Sequence, residues 1–513
     1  MTHSLTHTHR SPRRALVAAA TALTAGLVLA VPGATSAAEN AATTAEGAPA
    51  LAHWTALENR ALAPGVEHFR YRESAPNAIR AGAPRELNII RMDPAKGALR
   101  LESTHGLRGG QEESVRTMLA KLPDLPIAGA NGSYFANEGT PGVTPETIQT
   151  FGISARDGEL TSANCTTSSS DPRQGVVLQY GIPYIAPLET VITVSGDKEA
   201  KESPYGEKTQ RIDDVNRNPG GALACPRDAD DQAGKVGPYT DAYGKSIAAY
   251  TDPTEFVLFD DTYEMPTPKR DVNKKITADD QAGYEVRLDA TGRIVEGWAE
   301  RGGHTVPEGE YILQAIGDHQ ADWLSRQHQA GAVLTIDQKV VDHSFDGGGV
   351  PRELPLDESV DIIAGGDRMV TAGTSHYGVD RPSEYAYGSC GRLYDVTGAR
   401  KTLVTSADYV KTDFCRDTRT VLGVDDHGRT LIATLSGPRD TYAPDGGFLT
   451  EVAVPLMTLG AMDVVNLDGG GSTTLLTGAE LTRQSGLTDG PAPGTERQVA
   501  DALYIGRGGY PQR

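Results

Sequence analysis

The residues best suited to chemistry lie in one short segment, VVNLDGGGSTTLL, at positions 464–476. Asn466 and Asp468 are two residues apart on a predicted strand, so an amide and a carboxylate face the same side. Three glycines permit positive φ, and the N–H groups of such a turn can cradle an anion. The small residues that complete the turn are Gly469, Gly470, Gly471, Ser472 and Thr473. The segment predicts a pocket for an anionic, hydroxyl-rich ligand. The alternative interpretation of the same residues is a structural glycine turn capped by Asp468.

Two further segments carry candidate ligand-binding residues. GANGSYF, residues 129–135, reads as a strand that runs into a glycine corner with Asn131 at its tip. CRDTRTVLG places Arg419 at the start of a strand, and a guanidinium can hold a phosphate through two parallel hydrogen bonds. Taken alone, the first segment is more often a turn and the second more often a solvated arginine. Neither a GK[ST] phosphate loop nor a G-x-G-x-x-G fingerprint accompanies them.

The elements that must position these residues are mostly strands. Hairpins are predicted around Asp157-Gly158, across DATG (residues 289–292) and around DDHGR (425–429). Helices are predicted at 114–122, in ADWLSRQH, and in GFLTEVAVPLMTLGA, whose apolar stripe is interrupted by Pro455. Because strands outnumber helices and occur in hairpins, the sequence predicts an α+β fold. Its sheets would be mixed and largely antiparallel, with packed helices, in one main domain.

The N-terminal region reads as an export signal. Arg13 and Arg14 precede an apolar run, and small residues follow, which predicts a signal peptide over residues 1–37. The twin-arginine and the general secretory routes both remain open. Residues 38–85 read as a linker and N-terminal arm, and residues 86–506 as the domain, with an excursion near 205–250. No other stretch is long and apolar enough to span a membrane, so the mature protein is expected to be secreted.

The net charge and the cysteine spacing argue against some classes of partner and against a zinc site. The net charge is −20, and loss of the three arginines in residues 1–37 would take it to −23. An acidic surface argues against nucleic acid or anionic lipid as the main partner. The four cysteines show no CxxC spacing, which argues against a zinc cluster and favours two disulfides in an oxidising compartment. Of the three connectivities, neighbour pairing is preferred: Cys165 with Cys225 and Cys390 with Cys415.

Taken together, the motifs resemble the phosphodiester glycosidase domain family. The matching order is GANGSYF, RTVLGVDDHGRTLIATLSG, GGFLTEVAVPLMTLGAMDVV, NLDGGGSTTLL and ERQVADALYIG, and the resemblance covers roughly residues 86–506. It implies hydrolysis of the bond between an anomeric sugar carbon and a phosphate oxygen. The substrate would be a small or polymeric glycosyl phosphodiester, such as an N-acetylhexosamine 1-phosphodiester of a cell-surface polymer.

The resemblance also suggests roles for the candidate residues. Arg419 and the amides of residues 469–471 would hold the phosphate, and Asn131 and Asn466 would bind sugar hydroxyls. Asp468 is the first candidate for the catalytic carboxylate and Glu451, on the predicted helix, the second. Glycosidases usually use two carboxylates, and the sequence does not separate retention from inversion. No metal site and no cofactor are predicted, and a structural divalent cation stays open.

Two other readings of the chain are kept. The same pocket could belong to a secreted module that binds carbohydrate or phosphodiester without turnover. A serine peptidase or esterase is a poor third reading, since G-x-S-x-G is absent and no histidine partner for Ser472 stands out.

Overall fold

The structure is a computed structural model, and all the residues it describes fall within one compact unit, Thr43–Arg513. The described residues are 46–74, 84–106, 113–136, 149–150, 152–163, 174–198, 208–217, 232–240, 246–251, 255–270, 281–344, 351–366, 368–375, 418–436, 446–447, 449–483, 490 and 496–508. Among them, no helix is long and apolar enough to cross a membrane.

An antiparallel eight-stranded sheet carries the strands that lead to the predicted site. In spatial order its strands are β1 (Trp54–Ala63), β2 (Val66–Glu73), β3 (Glu86–Met92), β27 (Thr430–Ser436), β26 (Arg419–Asp425), β28 (Ala461–Asn466), β24 (Arg368–Thr371) and β25 (Thr374–Ser375). Every residue of β26 and β27 is buried, because this sheet is covered on both faces.

Successive residues of these strands enter two different cores, as the alternation of side chains along a strand requires. Ile90 and Leu422 pack in one core with strands of two other sheets. Their chain neighbours Ile89 and Val421 pack in the other core, against the helix α3 (Leu449–Thr458). This helix buries the predicted stripe despite Pro455 and ends where the Leu459 amide donates to the Pro455 carbonyl at 3.1 Å.

A second antiparallel sheet and a five-stranded sheet share a further core with the helix α2 (Asp318–Gln329). The second sheet contains β10 (Glu159–Ser162), β9 (Ser154–Arg156), β23 (Val360–Ala364), β11 (Gln174–Gln179), β12 (Ile182–Gly196), β21 (Leu334–Asp342) and β22 (Arg352–Leu354), with β13 (Thr209–Arg211) beside β12. The five-stranded sheet contains β14 (Asp214–Val215), β17 (Glu255–Asp260), β20 (Tyr311–Ile316), β18 (Gly283–Leu288) and β19 (Ile294–Trp298). Its β14–β17 pair is parallel.

A four-stranded antiparallel sheet supports the other half of the site. Its strands are β29 (Leu475–Thr477), β6 (Ala128–Asn131), β31 (Asp501–Arg507) and β4 (Leu99–His105). Two short helices, α1 (Val115–Ala120) and α4 (Gly478–Arg483), lie beside it. The remaining pairs are β15 (Gln232–Thr240) with β16 (Ser246–Thr251), β30 (Gln498–Val499) with β5 (Glu113–Ser114), and β7 (Phe135–Ala136) with β8 (Gln149–Thr150).

The predicted α+β class is wrong. The described residues form 31 strands and four α-helices, so the protein is mostly antiparallel β structure. The three predicted hairpins are confirmed, as are helices at each of the three predicted places, with Ser114 accepting a hydrogen bond from the Thr117 amide. The class fails because strands predominate among the described residues, and only α2 and α3 add helices of ten or more residues to the cores between the sheets.

Two regions expected to be irregular contain strands. Residues 54–73, in the predicted N-terminal arm, form the β1–β2 hairpin, which pairs with β3 and extends the first sheet. The predicted excursion near 205–250 includes β13, β14 and the β15–β16 hairpin. The β1–β2 hairpin pairs with a strand from another part of the chain, and this pairing is not encoded in its local sequence. The signal segment and the four cysteines lie outside the described residues.

Candidate active site

Two of the predicted corners meet although they are more than 300 residues apart in the chain. The Asn131 side chain donates from Nδ2 to the Asp468 carbonyl at 2.7 Å. In return, the Asp468 amide donates to the Gly132 carbonyl at 3.0 Å. The end of β6 and the end of β28 therefore form one structural unit, and the structure brings GANGSYF and NLDGGGSTT together.

Asn131 is fully buried and acts as the joint between these loops. Its Oδ1 accepts hydrogen bonds from the Thr420 hydroxyl at 2.7 Å and from the Thr474 amide at 3.0 Å. With Nδ2 bonded to the Asp468 carbonyl, both polar atoms of the amide are engaged by protein groups. The predicted contact with a sugar hydroxyl would therefore compete with this joint.

Asn466 is also fully buried, one strand position before the turn. Its Nδ2 donates to the Tyr134 hydroxyl, while its Oδ1 has no hydrogen-bond partner among the described residues. The same holds for the hydroxyls of Thr473 and Thr474. Buried polar atoms are usually hydrogen bonded, so these three are available to a polar ligand or to water.

Asp468 has the most perturbed ionisation of the predicted residues. Burial raises the pKa of its carboxyl to about 7, against the opposing effects of a Ser472 hydrogen bond, the Arg497 charge and the Gly469 amide. The nearby Asp501 charge raises the pKa further. Asp468 nevertheless stays partly exposed. A carboxyl of this kind exchanges protons readily near neutral pH while remaining open to a ligand.

Asp501, which was not singled out from the sequence, lies close enough to Asp468 for its charge to raise the pKa of the Asp468 carboxyl. Ser133 donates to it from both its amide and its hydroxyl, each at 2.6 Å. Burial raises the pKa of Asp501 to about 6, although the Ser133 hydrogen bonds oppose the shift. A β-carbon on Gly132 would lie 2.3 Å from Asp501 Oδ1, so the glycine permits this close approach. The only signal in the sequence was an acidic residue inside the apolar run VADALYIG.

The glycine turn is shaped by close contacts on both sides. A β-carbon on Gly469 would lie 2.5 Å from the Thr418 carbonyl oxygen, and Gly470 has a φ of 60°. The Gly469 amide donates to the Asp468 carboxylate at 2.9 Å, and the Gly470 amide donates to the Thr418 carbonyl at 2.9 Å. Two of the three amides expected to hold a phosphate are therefore engaged by protein acceptors. Ser472 and Thr473 are buried beneath the turn.

The remaining two candidates lie in a different environment. The buried Arg419 donates from Nε to the Gly447 carbonyl at 3.1 Å. On α3, Glu451 accepts two hydrogen bonds from Arg85, at 2.7 and 2.8 Å, and Arg85 also bonds Glu73 at 2.7 Å. We call Glu451, Arg85 and Glu73 the Glu451 cluster. The Asp468 cluster comprises Asp468, Ser472, Arg497 and Asp501.

The Glu451 cluster keeps its cation firmly charged. Burial opposes the charge on Arg85, but the hydrogen bonds and charges of Glu451 and Glu73 outweigh it and raise the pKa of the guanidinium. The side chains of Arg85 and Glu73 are 4 % and 7 % exposed. Glu451 is therefore a member of a buried ion-pair network, which is an ordinary structural role for a glutamate at this place.

One group of described residues could hold a metal ion by the proximity of its ligand atoms: Asp425, Asp426 and His427. These residues occupy the turn between β26 and β27, at the opposite end of β26 from Arg419. The Asp425 carboxylate already accepts from the His427 and Arg429 amides, at 2.9 and 2.8 Å. The cluster is thus explained as a turn.

Comparison with known families supports the resemblance predicted from the sequence motifs. Residues 269–506 match the phosphodiester glycosidase family model, which confirms the resemblance over that part of the chain. No curated protein matches the chain.

Solved structures confirm the fold at low sequence identity. A Burkholderia pseudomallei K96243 protein named "Putative exported protein" aligns with a TM-score of 0.61 and 19 % identity, over 88 % of this chain and 96 % of that one. A hypothetical protein from Synechocystis aligns with a TM-score of 0.51 and 12 % identity, over 86 % of this chain and 62 % of that one. The catalytic domain of zebrafish N-acetylglucosamine-1-phosphodiester alpha-N-acetylglucosaminidase, auto-inhibited by its pro-peptide, aligns with a TM-score of 0.33 and 12 % identity, over 88 % of this chain and 87 % of that one. A TM-score of 0.33 is too low to support a structural argument.

Proposed function

We propose, from the premise that residues 269–506 are a phosphodiester glycosidase family domain, that the protein is a secreted hydrolase of glycosyl phosphodiesters. It would cleave the bond between an anomeric sugar carbon and a phosphate oxygen. Substrates of the expected class are N-acetylhexosamine 1-phosphodiesters, free or attached to a cell-surface polymer. Water is the only co-substrate this reaction requires.

The observation that carries the proposal is the state of Asp468. Its pKa of about 7 leaves comparable amounts of acid and base at neutral pH, which suits a group that takes a proton from water. The same carboxylate could stabilise positive charge at the anomeric carbon as the bond to phosphate breaks. Phosphate is a weak base and a good leaving group, so the reaction makes little demand on a second carboxyl as acid.

The supporting residues fix Asp468 in place. Asn131 holds its carbonyl, Gly132 receives its amide, and the Gly469 amide holds its carboxylate. Because both sides of the residue are bonded to buried loops, little reorganisation is needed when a substrate enters. Glu451 is the weaker candidate, since its carboxylate is already neutralised by Arg85.

Export belongs to the same proposal. The segment 1–37 has the pattern of a signal peptide, and a structural neighbour from Burkholderia pseudomallei bears the word "exported" in its name. N-terminal sequencing of protein recovered from culture medium would test this: a mature chain that starts after residue 37 is expected, and an intact Met1 in the medium would contradict it.

The test of function is release of free sugar from a panel of sugar 1-phosphodiesters, including N-acetylglucosamine and N-acetylgalactosamine. Wild type is expected to release sugar, and Asp468→Asn should lower kcat/KM by about 10²–10⁴-fold, the usual contribution of a positioned acid or base. Equal release by both would keep the activity and remove Asp468 from the mechanism.

The rival function is a module that binds carbohydrate or phosphodiester without turnover. Under this reading wild type releases no sugar from any member of the panel or from a cell-wall fraction, yet it binds the same compounds. Asp468→Asn separates the two, because an enzyme loses turnover and keeps binding when only this carboxylate is neutralised.

A further inference from the structure

We propose that Arg497, rather than Arg419, is the residue that holds the phosphate of the substrate. This inference rests on the proposed function and assigns one of its binding groups. Arg497 is exposed, and its guanidinium lies against the glycine turn. Its Nη1 donates to the Ser472 hydroxyl at 3.4 Å. A guanidinium in this position can bind a phosphate oxygen pair and remains open to solvent on its other side.

The absence of a side chain at Gly471 creates the place for this guanidinium. A β-carbon there would lie 2.7 Å from Arg497 Cζ and 2.7 Å from Nη2. Gly471 therefore lacks a side chain because the Arg497 guanidinium occupies that space. Gly469 is required by the close Thr418 carbonyl, and Gly470 by its positive φ.

The backbone of Arg497 is anchored on both sides. The preceding residue, Glu496, forms an ion pair with Arg116 on α1, with N and O atoms 3.0 Å apart. The following residues Gln498 and Val499 form β30, which pairs with β5. A long side chain on an anchored backbone loses less entropy on binding than one on a free loop, so the position is prepared for a ligand.

Arg419 has a different environment, although it was the predicted phosphate ligand. It is 3 % exposed, and its Nε donates to the Gly447 carbonyl. A β-carbon on Gly447 would lie 2.7 Å from Glu451 Oε2, so Arg419 is adjacent to the Glu451 cluster. Its Nε–H points to the Gly447 carbonyl on the side of the Glu451 cluster, whereas the guanidinium of Arg497 is exposed beside the glycine turn.

Arg497 and Asp468 are coupled through Ser472. The Ser472 hydroxyl region contacts the Arg497 guanidinium, and Ser472 also hydrogen bonds Asp468, whose ionisation is affected by the Arg497 charge. A phosphate held by Arg497 would thus lie beside the Asp468 carboxylate. This arrangement places the scissile bond between the anion-binding group and the group that acts on the sugar.

The experiment measures phosphate binding directly, apart from turnover. Isothermal titration of the full mature chain with inorganic phosphate and with N-acetylglucosamine 1-phosphate would compare wild type, Arg497→Gln, Arg497→Lys and Gly471→Ala. Arg507→Gln is the matched control, because Arg507 is exposed at the far end of β31. In parallel, KM and kcat would be measured on the sugar 1-phosphodiesters.

The expected result is at least tenfold weaker binding of both probes by Arg497→Gln, with partial recovery in Arg497→Lys and no change in Arg507→Gln. Gly471→Ala should weaken binding several-fold without unfolding, since its backbone needs no positive φ and the side chain it would meet is flexible. On a substrate that wild type hydrolyses, Arg497→Gln should raise KM more than it lowers kcat.

Unchanged binding by Arg497→Gln, or a wild type that binds neither probe, overturns the inference. The hydrolase proposal fails separately: a wild type that binds through Arg497 but releases no sugar supports the phosphate site and favours the binding module. Hydrolysis that is insensitive to Arg497→Gln keeps the enzyme and rejects Arg497 as its phosphate ligand.

Discussion

The two carboxylates predicted to act in catalysis, Asp468 and Glu451, have opposite surroundings. Asp468 is bonded to neutral groups, and its pKa is raised to about 7. Glu451 is held by two hydrogen bonds from a guanidinium that is itself buried. In the Asp468 cluster, burial makes the carboxylate harder to ionise. In the Glu451 cluster, the carboxylate forms an ion pair with Arg85.

The comparison shows why residue type alone does not identify a catalytic acid. A carboxylate that proteins use for proton transfer needs a pKa near the working pH, and at Asp468 burial raises the pKa more than the Arg497 charge lowers it. A carboxylate bonded to a buried arginine stays ionised and contributes to stability when its partner is present. The following predictions test this difference, starting with the largest expected effect.

Removing the cation of the Glu451 cluster should be strongly destabilising. Arg85→Met leaves Glu73 and Glu451 without their shared guanidinium, and an uncompensated buried charge typically costs about 3–5 kcal/mol. Denaturant unfolding of wild type and variant measures the loss. The control is Arg326→Met, which breaks a half-exposed helix pair with Asp322 and should cost less than about 1 kcal/mol. An equally small cost for Arg85→Met would restore Glu451 as a catalytic candidate.

The raised pKa of Asp468 should make the free energy of unfolding depend on pH. The pKa of Asp468 is about 7 in the folded protein against an ordinary value of 3.8. The folded state therefore binds more protons, and stability falls as pH rises from about 4 to about 7.

Asp468→Asn removes this contribution, so the variant should lose about 4 kcal/mol less than wild type between pH 4 and pH 8. Unfolding curves at a series of pH values check it. Asp501, whose pKa is raised to about 6, titrates in both proteins and cancels in the comparison to first order. Parallel pH profiles for the two proteins would mean that Asp468 ionises normally.

The smallest effect is expected for Glu451→Gln. The amide keeps the shape of the side chain and one acceptor for Arg85, while Glu73 still neutralises the guanidinium. The variant should lose about 1 kcal/mol of stability and change kcat/KM by less than threefold. Sugar-release kinetics together with unfolding measure both quantities. A loss of activity comparable to that of Asp468→Asn, without loss of stability, would reverse the assignment of the two carboxylates.

Local features of the molecule were predictable from the sequence, and distant pairings were not. The β26–β27 hairpin follows from the DDHGR turn between two apolar runs, and the helix α3 follows from a helical stripe within a few residues. The short segment VDIIAGGDRMV, residues 360–370, supplies β23 to one sheet and β24 to another, which its local sequence does not indicate. The separation occurs at Gly365 and Gly366, where β-carbons would lie 2.8 Å from Val465 and 2.6 Å from Tyr134.

The site divides in the same way. The glycine turn, Asn131 and Asp468 were singled out because three glycines, an amide and a carboxylate stand together in two short segments. Asp501 and Arg497 were not, because their importance depends on contacts with Ser133 and Ser472 that no local pattern encodes. Arg85 was not singled out for the same reason, because its contact with Glu451 joins residues 366 positions apart.

The position of β31 in its sheet has a consequence for timing. This strand lies between β4 and β6 and is bonded to both, and it follows them by several hundred residues in the chain. Until β31 pairs with these strands, Asp501 cannot accept the hydrogen bonds of Ser133, and the Asp468 cluster is incomplete. A chain still emerging from the ribosome would therefore lack the proposed site, which is complete only when the C-terminal strand has been made and has paired.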